Sequence, residues 1–245
     1  MRDCAVIYRR LHAVTRREGL SQRHVDDSRQ RHSSTKDGVV FVTPDAYQPT
    51  GVALGHPLPD VRVTRRLWRL TRLIDRYLSS FGDAHPFAFV PSSSYHVTIY
   101  SRSHFDRGAV FDMERTEHEV VERLLSDAQI GSTAIDFHGM LLSKEGRVLV
   151  CGYPVDDGLW RIRDSFTGKV AMAGGNPPTT AHIKLGHVLI APTLERVRKL
   201  SEFLDRCSQH VSERIVFADV FTPAGRISLT PCCKVPSRLQ GERAP

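Results

Sequence analysis

The sequence predicts an α+β fold for this chain of 245 residues. Segments with apolar residues at helical spacing alternate with short segments rich in Val, Ile and Phe, and this interleaving is typical of α+β proteins. The hydrophobic fraction of 40% and the charged fraction of 25% are those of an ordinary globular protein. Because two strongly patterned strands are each followed by a helix, the sequence also indicates an internal duplication.

Four segments have the periodicity of amphipathic helices: about 63–79, 113–129, 158–169 and 194–208. The first is the clearest, because Leu67, Leu70 and Ile74 fall on one face with Arg and Asp residues between them. The third follows Asp156 and Asp157, whose side chains are of the type that caps helix N-termini. We therefore expect four helices that each bury one face.

Further segments have the composition of short strands: about 39–42, 50–58, 87–90, 95–100, 132–142, 147–154, 182–190, 214–221 and 226–231. The segment Lys144-Glu145-Gly146 joins two of them and suits a hairpin. Pro223-Ala224-Gly225 is a turn between the last two.

The basic excess of the chain lies at its two ends. Residues 1–36 carry nine basic and four acidic side chains, and residues 234–245 carry three basic and one acidic, so the net charge of +7 leaves the region between them neutral. Polar, charged composition is typical of disordered segments, although a short helix near 5–15 is compatible with the sequence. We predict a basic, disordered arm at 1–37 and a flexible tail at 234–245, and we favour solvated ends over an arm that makes weak contact with RNA.

A domain at 38–233 is predicted between these ends. Its length permits one large domain or two small lobes packed against each other. No apolar run approaches the ~18–20 residues that cross a bilayer. The N-terminal arginines are not followed by the apolar core of a signal peptide, which has about 7–15 residues. We therefore expect a cytoplasmic protein without membrane association.

Two of the predicted strands carry a histidine followed by a polar residue two positions later. His96 and Thr98 share one face of the first strand, because alternate residues of a strand point to the same side. His182 and Lys184 share one face of the second strand in the same way. Two such strands side by side would form the floor of a cleft that contains two imidazoles and two hydrogen-bond donors.

This set of side chains suits the cleavage of a phosphodiester. One neutral imidazole can take a proton from water or a ribose hydroxyl, while the other, protonated, gives a proton to the leaving oxygen, since the ordinary pKa of histidine is ~6.5. The pair would be His96 and His182, in an order that the sequence leaves open. Thr98 and Lys184 would bind the non-bridging oxygens as charge develops on them. Tyr100 is a candidate for contact with a base or sugar, and no metal or cofactor is expected.

The motifs His96-Val97-Thr98 and His182-Ile183-Lys184 resemble the paired H-x-T/S strands of the two-histidine phosphoesterase superfamily, which includes 2′-5′ RNA-ligase-like proteins and cyclic phosphodiesterases. Leu185-Gly186 also resembles the family's second motif, whereas Lys184 departs from it, because the family has a hydroxyl residue there. The resemblance spans about 38–232. It implies a bilobal fold, in which two pseudo-symmetric lobes of antiparallel strands with outer helices flank a central cleft. It also implies an RNA-processing hydrolase that acts without metal on a 2′,3′-cyclic phosphate, or a related strained phosphodiester, of a nucleotide or RNA end.

Two other functions remain open from the sequence. A lysine at position 184 would also suit a non-catalytic protein that binds a nucleotide or RNA end through a degraded second motif. A nonspecific RNA-binding protein that acts through the basic ends is the other. A zinc site formed by His96, His182 and His187 is disfavoured, because the spacing of the last two places them on opposite faces of a strand. The sequence indicates no oligomeric state, and the neutral domain favours neither long RNA nor a small nucleotide.

Overall fold

The computed structural model describes residues 3–31, 34–36, 39–41, 51–83, 85–101, 113–166, 179–190, 193–222 and 224–229. The helices are α1 (Cys4–Glu18), α2 (Gln22–Arg31), α3 (Val61–Ser79), α4 (Met113–Ala128), α5 (Gly158–Phe166) and α6 (Leu194–Ser208). The strands are β1 (Ser34–Lys36), β2 (Val39–Phe41), β3 (Gly51–Leu54), β4 (Phe87–Phe89), β5 (Val97–Ser101), β6 (Thr133–Leu142), β7 (Arg147–Pro154), β8 (Ala181–Val188), β9 (Ser212–Phe217), β10 (Asp219–Thr222) and β11 (Gly225–Ser228). Helices and strands are interleaved, which confirms the predicted α+β class.

The described strands join through β8 into one sheet, in which every described pair is antiparallel except β2 with β4. Along one edge β8 pairs with β7, and the sheet continues to β6 and β9. Along its other edge β8 pairs with β4 and, through Val97 and Ile183, with β5. From β5 the sheet continues to β3, β10 and β11. The two strands that the sequence singled out by their histidines are therefore neighbours.

Helix α3 covers part of the face of the sheet that carries the main hydrophobic core. Its buried side includes Leu67, Leu70 and Ile74, and it packs against β4 and β8. The helix begins after Asp60, whose carboxylate accepts a hydrogen bond of 3.2 Å from the backbone N–H of Val63. Such a cap satisfies a donor that the first helical turn leaves without a partner. The predicted amphipathic helix is confirmed, and it starts slightly earlier than the apolar pattern indicated.

Two of the predicted strands have different bounds in the structure. The strand expected at 50–58 is shorter, because the chain turns at Gly55, which has a positive φ of 63°. The strand expected at 214–221 is two strands, β9 and β10, which are separated at Ala218. β9 pairs with β6, whereas β10 pairs with β3. The break therefore lets one stretch of chain join two distant parts of the sheet.

Two helices, Cys4–Glu18 and Gln22–Arg31, lie within the segment 1–37 that the sequence predicted to be a disordered arm. The carboxylate of Asp3 caps α1 by accepting a hydrogen bond of 3.1 Å from the backbone N–H of Val6. Cys4 and Tyr8 are buried in a second apolar cluster. The other buried members of this cluster are Leu141, Leu149, Cys151 and Trp160.

Hydrogen bonds to backbone groups hold this N-terminal segment against the rest of the protein. The hydroxyl of Tyr8 is hydrogen bonded to the backbone of Gly152 and Ala181. The backbone N–H of Ser21 donates to the carbonyl oxygen of Lys144 at 2.8 Å. The polar composition of the segment predicted disorder because backbone partners of this kind leave no pattern in a sequence.

Among the described helices, none is both long and apolar enough to cross a bilayer. The predicted flexible tail at 234–245 lies outside the described residues. The domain boundary at position 38 remains a prediction, and α1 packs against β6, β7 and α6 of the predicted domain.

Candidate active site

The register between β5 and β8 determines which side chains meet on the face of the sheet away from the main core. Val97 lies directly opposite Ile183, and both are buried in that core. The residues on either side of this pair point to the opposite face, because side chains alternate along a strand. They are His96, Thr98, His182 and Lys184.

These four side chains lie around the pair of Val97 with Ile183, which is the described contact between the two strands. Lys184 lowers the pKa of His96, and His96 lowers the pKa of His182. The titratable groups of the two strands are therefore close enough to act on one another. All four are partly exposed, whereas the residues between them are buried. The structure thus brings together the four polar residues that the sequence analysis selected.

The imidazole of His96 is oriented by the backbone. Its Nδ1 lies 2.7 Å from the carbonyl oxygen of Ser94, and because a carbonyl can only accept, Nδ1 carries the proton. Nε2 therefore keeps its lone pair in the neutral ring. Burial lowers the pKa of His96 to about 4; the hydrogen bond to Ser94 opposes this effect, and the positive charges of His56 and Lys184 add to it. His96 is a neutral base at physiological pH.

The imidazole of His182 has a different partner. Its Nδ1 lies 3.2 Å from Oγ1 of Thr180, and since a hydroxyl can donate or accept, this contact tolerates both the neutral and the protonated ring. Burial lowers the pKa of His182 to about 3, and the nearby charges of Arg163, Arg147 and Lys184 act in the same direction. A bound anion would raise this pKa again, because it favours the charged form.

Lys184 contributes a titratable positive charge to the same face. Burial lowers the pKa of its ammonium to about 7, and the charge of Arg147 acts in the same direction. At neutral pH this group is therefore close to half protonated, and an anion placed beside it would favour the charged form. The charges that shift the pKa values of His96, His182 and Lys184 are all basic, so the site attracts anions.

His56 is a residue of this site that the sequence analysis missed. It lies between β3 and α3, and its ring centroid is 5.6 Å from that of His96, with the ring planes inclined by 43°. Its Nε2 is buried and has no hydrogen-bond partner among the described residues. The pairing of β3 with β5 brings His56 to this position, and such a long-range contact has no local signal in the sequence.

Arg163 is a second residue that the sequence analysis missed. It lies on α5 and is 1% exposed. Its Nη2 donates hydrogen bonds to the carbonyl oxygens of Thr98, at 2.6 Å, and Thr180, at 3.0 Å. The sequence did contain a signal for this residue, because Arg163 falls on the same side of α5 as the apolar residues Leu159 and Phe166. Arginine on an apolar helix face indicates a specific polar partner, since arginine is almost never fully buried without one.

Tyr100 does not occupy the position that the sequence analysis expected. It is 4% exposed and belongs to the main core. Its ring is parallel to that of Phe166, with centroids 6.4 Å apart and planes inclined by 6°. Because α5 packs against β5, the aromatic face is covered by protein. The contact of Tyr100 with a base or sugar remains a prediction, and the described position of its ring is in the core.

Within the described ranges, no group of three or more His, Cys, Asp or Glu residues could hold a metal ion. His187, the third member of the disfavoured zinc triad, is buried and lies opposite Ala88 and Arg147 on the neighbouring strands.

No protein-family model matches the chain, and no curated protein matches it. Among solved structures, the crystal structure of TT0787 of Thermus thermophilus is similar, with a TM-score of 0.44 and 13% sequence identity over 72% of this chain and 91% of that chain.

Proposed function

We propose that this protein is a phosphodiesterase that uses two histidines and no metal ion to hydrolyse a 2′,3′-cyclic phosphate, or a related strained phosphodiester, at the end of a nucleotide or RNA. The observation that carries the proposal is the register of Val97 with Ile183, which puts two imidazoles, a hydroxyl and an ammonium on one face. The resemblance of the two motifs to two-histidine phosphoesterases agrees with this interpretation.

The hydrogen bonds of the two rings favour one order of proton transfer. His96 is the general base, because Ser94 holds its Nδ1–H and leaves the lone pair of Nε2 for a proton of the attacking water. The water oxygen bonds to phosphorus, and the bond from phosphorus to the ribose oxygen breaks. His182 gives its proton to that ribose oxygen, so that the cyclic diester becomes a monoester.

The charge of the substrate has a part in this mechanism. In the free protein the pKa of His182 is about 3, so its ring is neutral near pH 7. The phosphodiester anion raises this pKa by favouring the imidazolium form, and the proton that His182 then carries is readily given up. Thr98 and Lys184 bind the non-bridging oxygens, where negative charge develops in the transition state.

We expect the domain at 38–233 to consist of two pseudo-symmetric lobes on either side of the site, and the protein to act in RNA processing in the cytoplasm, without membrane association. The substrate is a nucleotide or an RNA end. If the substrate is an RNA end, the basic N-terminal segment would make a weak contact with RNA beyond the terminal nucleotide.

A non-catalytic binding function is the second candidate, and one observation favours it. Lys184 replaces the hydroxyl residue of the family's second motif, and burial brings its pKa to about 7. Such a group binds a phosphate by charge. Under this alternative the protein would retain a nucleotide or RNA end without converting it.

The two candidates are separated by steady-state assays of 2′,3′-cyclic nucleotides in excess EDTA. We expect the protein to turn them over, and His96→Gln and His182→Gln each to lose at least about 100-fold in kcat, since general acid–base groups contribute about 10²–10⁴-fold. His210→Gln is a matched control at an exposed histidine and should retain full activity. Tight binding without turnover would support the binding function, and full activity in His96→Gln would exclude the mechanism.

A further inference from the structure

Arg163 is buried at the point where the two histidine-bearing strands separate. It lies on α5 and is 1% exposed. In the ladder between β5 and β8, the described pair is Val97 with Ile183, whereas β8 pairs with β7 along most of its length. The contact between the two histidine strands is therefore short. Burying a guanidinium is costly unless hydrogen bonds compensate for the lost water, and the compensating bonds lie at this junction.

One nitrogen atom connects the two motifs. Nη2 of Arg163 donates to the carbonyl oxygen of Thr98, at 2.6 Å, and to that of Thr180, at 3.0 Å. Thr98 belongs to the first motif. Thr180 lies two residues before His182 and contacts its Nδ1 through the side-chain hydroxyl at 3.2 Å. The guanidinium thus joins the backbone of one motif to the residue that orients the imidazole of the other.

The position of the guanidinium is fixed from its other side as well. Cζ of Arg163 lies 5.1 Å from the centroid of the Trp160 ring, within the range of a cation–π interaction. Trp160 is buried in the second apolar cluster with Cys4 and Tyr8 of α1. The N-terminal helix therefore supports the arginine indirectly, through the indole ring.

We propose that Arg163 is a positioning residue, which holds the two histidine-bearing strands at the separation that their joint action requires. This inference rests on the proposed function, because it concerns the same two histidines. Arg163 acts through Thr98 and Thr180 and is not assigned a contact with the substrate. A loss of about 1 Å in the relative placement of catalytic groups can reduce a rate by about 100-fold, so a residue of this kind affects turnover strongly.

The charge of Arg163 also reaches His182. After burial, it is the charge with the largest lowering effect on the pKa of this histidine. The other charged or titratable groups that act on His182 are Arg147 of β7, Lys184 of its own strand and His96 beside β5. Cys151 lies directly opposite His182 on β7, and burial raises the pKa of its thiol to about 12, so it remains neutral. Removing the Arg163 charge should therefore raise the pKa of His182.

The test compares Arg163→Met, which removes the charge and both hydrogen bonds, with Arg163→Lys, which keeps the charge in a different geometry. Arg161→Met is the matched control, because Arg161 lies on the same helix, is exposed and donates to the carbonyl oxygen of Ala128 at 2.7 Å. For each variant the pKa of His182 is measured by NMR titration of the imidazole, together with kcat and KM for a 2′,3′-cyclic nucleotide and amide hydrogen exchange at Val97 and Ile183.

We expect Arg163→Met to raise the pKa of His182 by about one unit or more, since a nearby charge shifts a pKa by about 1–3 units. Its kcat should fall about 10- to 100-fold while KM changes less than about threefold, and Val97 and Ile183 should exchange faster. In Arg163→Lys the pKa of His182 should stay low and kcat should be partly reduced. This variant should fold even if Arg163→Met does not. Arg161→Met should match the unsubstituted protein in every measurement.

Three outcomes would overturn the inference. The first is that the His182 titration and the amide exchange are both unchanged in folded Arg163→Met. The second is a rise in KM with unchanged kcat, which would indicate direct substrate binding by Arg163. The third is that Arg161→Met has effects of the same size as Arg163→Met. If neither the unsubstituted protein nor any variant hydrolyses the nucleotide, the proposed function fails. The titration and the amide exchange still decide the role of Arg163 in that case.

Discussion

The imidazole rings of His56 and His96 lie with their centroids 5.6 Å apart. They come from different parts of the chain, because His96 precedes β5 and His56 follows β3, and the pairing of β3 with β5 brings them together. A positive charge on His56 lowers the pKa of His96. The basicity of the proposed general base is therefore influenced by a residue that no motif contains.

Replacing His56 should make His96 easier to protonate. We expect His56→Gln to raise the pKa of His96 and to shift the acidic limb of the kcat/KM profile to higher pH, because one source of repulsion for the imidazolium is removed. The profile of the exposed His210→Gln control should not move. An unchanged acidic limb in His56→Gln would mean that the two rings do not interact in solution.

Substrate affinity should depend on the protonation of Lys184. Its pKa is lowered to about 7, so the ammonium is charged below this pH and loses its charge above it. KM for a cyclic nucleotide should therefore stay constant below about pH 7 and rise above it by up to about tenfold per pH unit. Lys184→Arg should remove this rise, because arginine keeps its charge over the whole range. A KM that is flat to about pH 9 in the unsubstituted protein would contradict the role of Lys184.

Stability should fall at mildly acidic pH. The pKa values of His96 and His182 are lowered to about 4 and about 3, whereas in the unfolded chain they lie near 6.5. Between these values the unfolded state binds more protons than the folded state, so the contribution of the two histidines to stability is complete above about pH 6.5 and declines as pH falls towards 4. Each histidine contributes a slope of up to about 1.4 kcal/mol per pH unit.

Urea unfolding between about pH 7 and about pH 4.5 measures this slope. The two histidines together contribute to the pH slope of the unfolding free energy. We expect His182→Asn to remove about half of that contribution, because one of the two neutral rings is removed. His210→Asn, at an exposed histidine, is the matched control. Equal slopes in His182→Asn and the unsubstituted protein would show that His182 titrates normally in the folded state.

The N-terminal helix should stabilise the folded protein through one hydroxyl. Tyr8→Phe removes the hydrogen bonds to the backbone of Gly152 and Ala181, and leaving buried polar groups without a partner costs about 1–3 kcal/mol. Tyr77→Phe is the matched control, since its hydroxyl contacts the carbonyl oxygen of Lys199 at an exposed position. Equal stability of the two variants in thermal unfolding would mean that α1 does not depend on this contact.

The sequence predicted the centre of the site but not its surroundings. The alternation of polar and apolar residues around His96 and His182 predicted four side chains on one face, because a strand has a fixed period of two, and the buried pair of Val97 with Ile183 agrees with that alternation. The same period gave no sign that Tyr100 is buried, because α5 packs against β5 from elsewhere in the sequence. A short helix near 5–15 was compatible with the sequence, but the packing of the N-terminal segment against the domain was not predicted, because its anchors are few and bind backbone groups. His56 was missed because its position depends on strand pairing, which a single sequence does not encode locally.

The central claim is that His96 and His182 together hydrolyse a cyclic phosphodiester, and phosphorus NMR in ¹⁸O-enriched water with excess EDTA tests it most directly. The protein and a 2′,3′-cyclic nucleotide should give one monoester whose phosphorus signal shows a single ¹⁸O isotope shift, because the new oxygen comes from water, and neither His96→Gln nor His182→Gln should give this product. The position of the phosphate on the ribose identifies the oxygen that His182 protonates. A cyclic signal that persists with the unsubstituted protein would contradict the two-histidine mechanism. Product formation by either variant at the rate of the unsubstituted protein would contradict it as well.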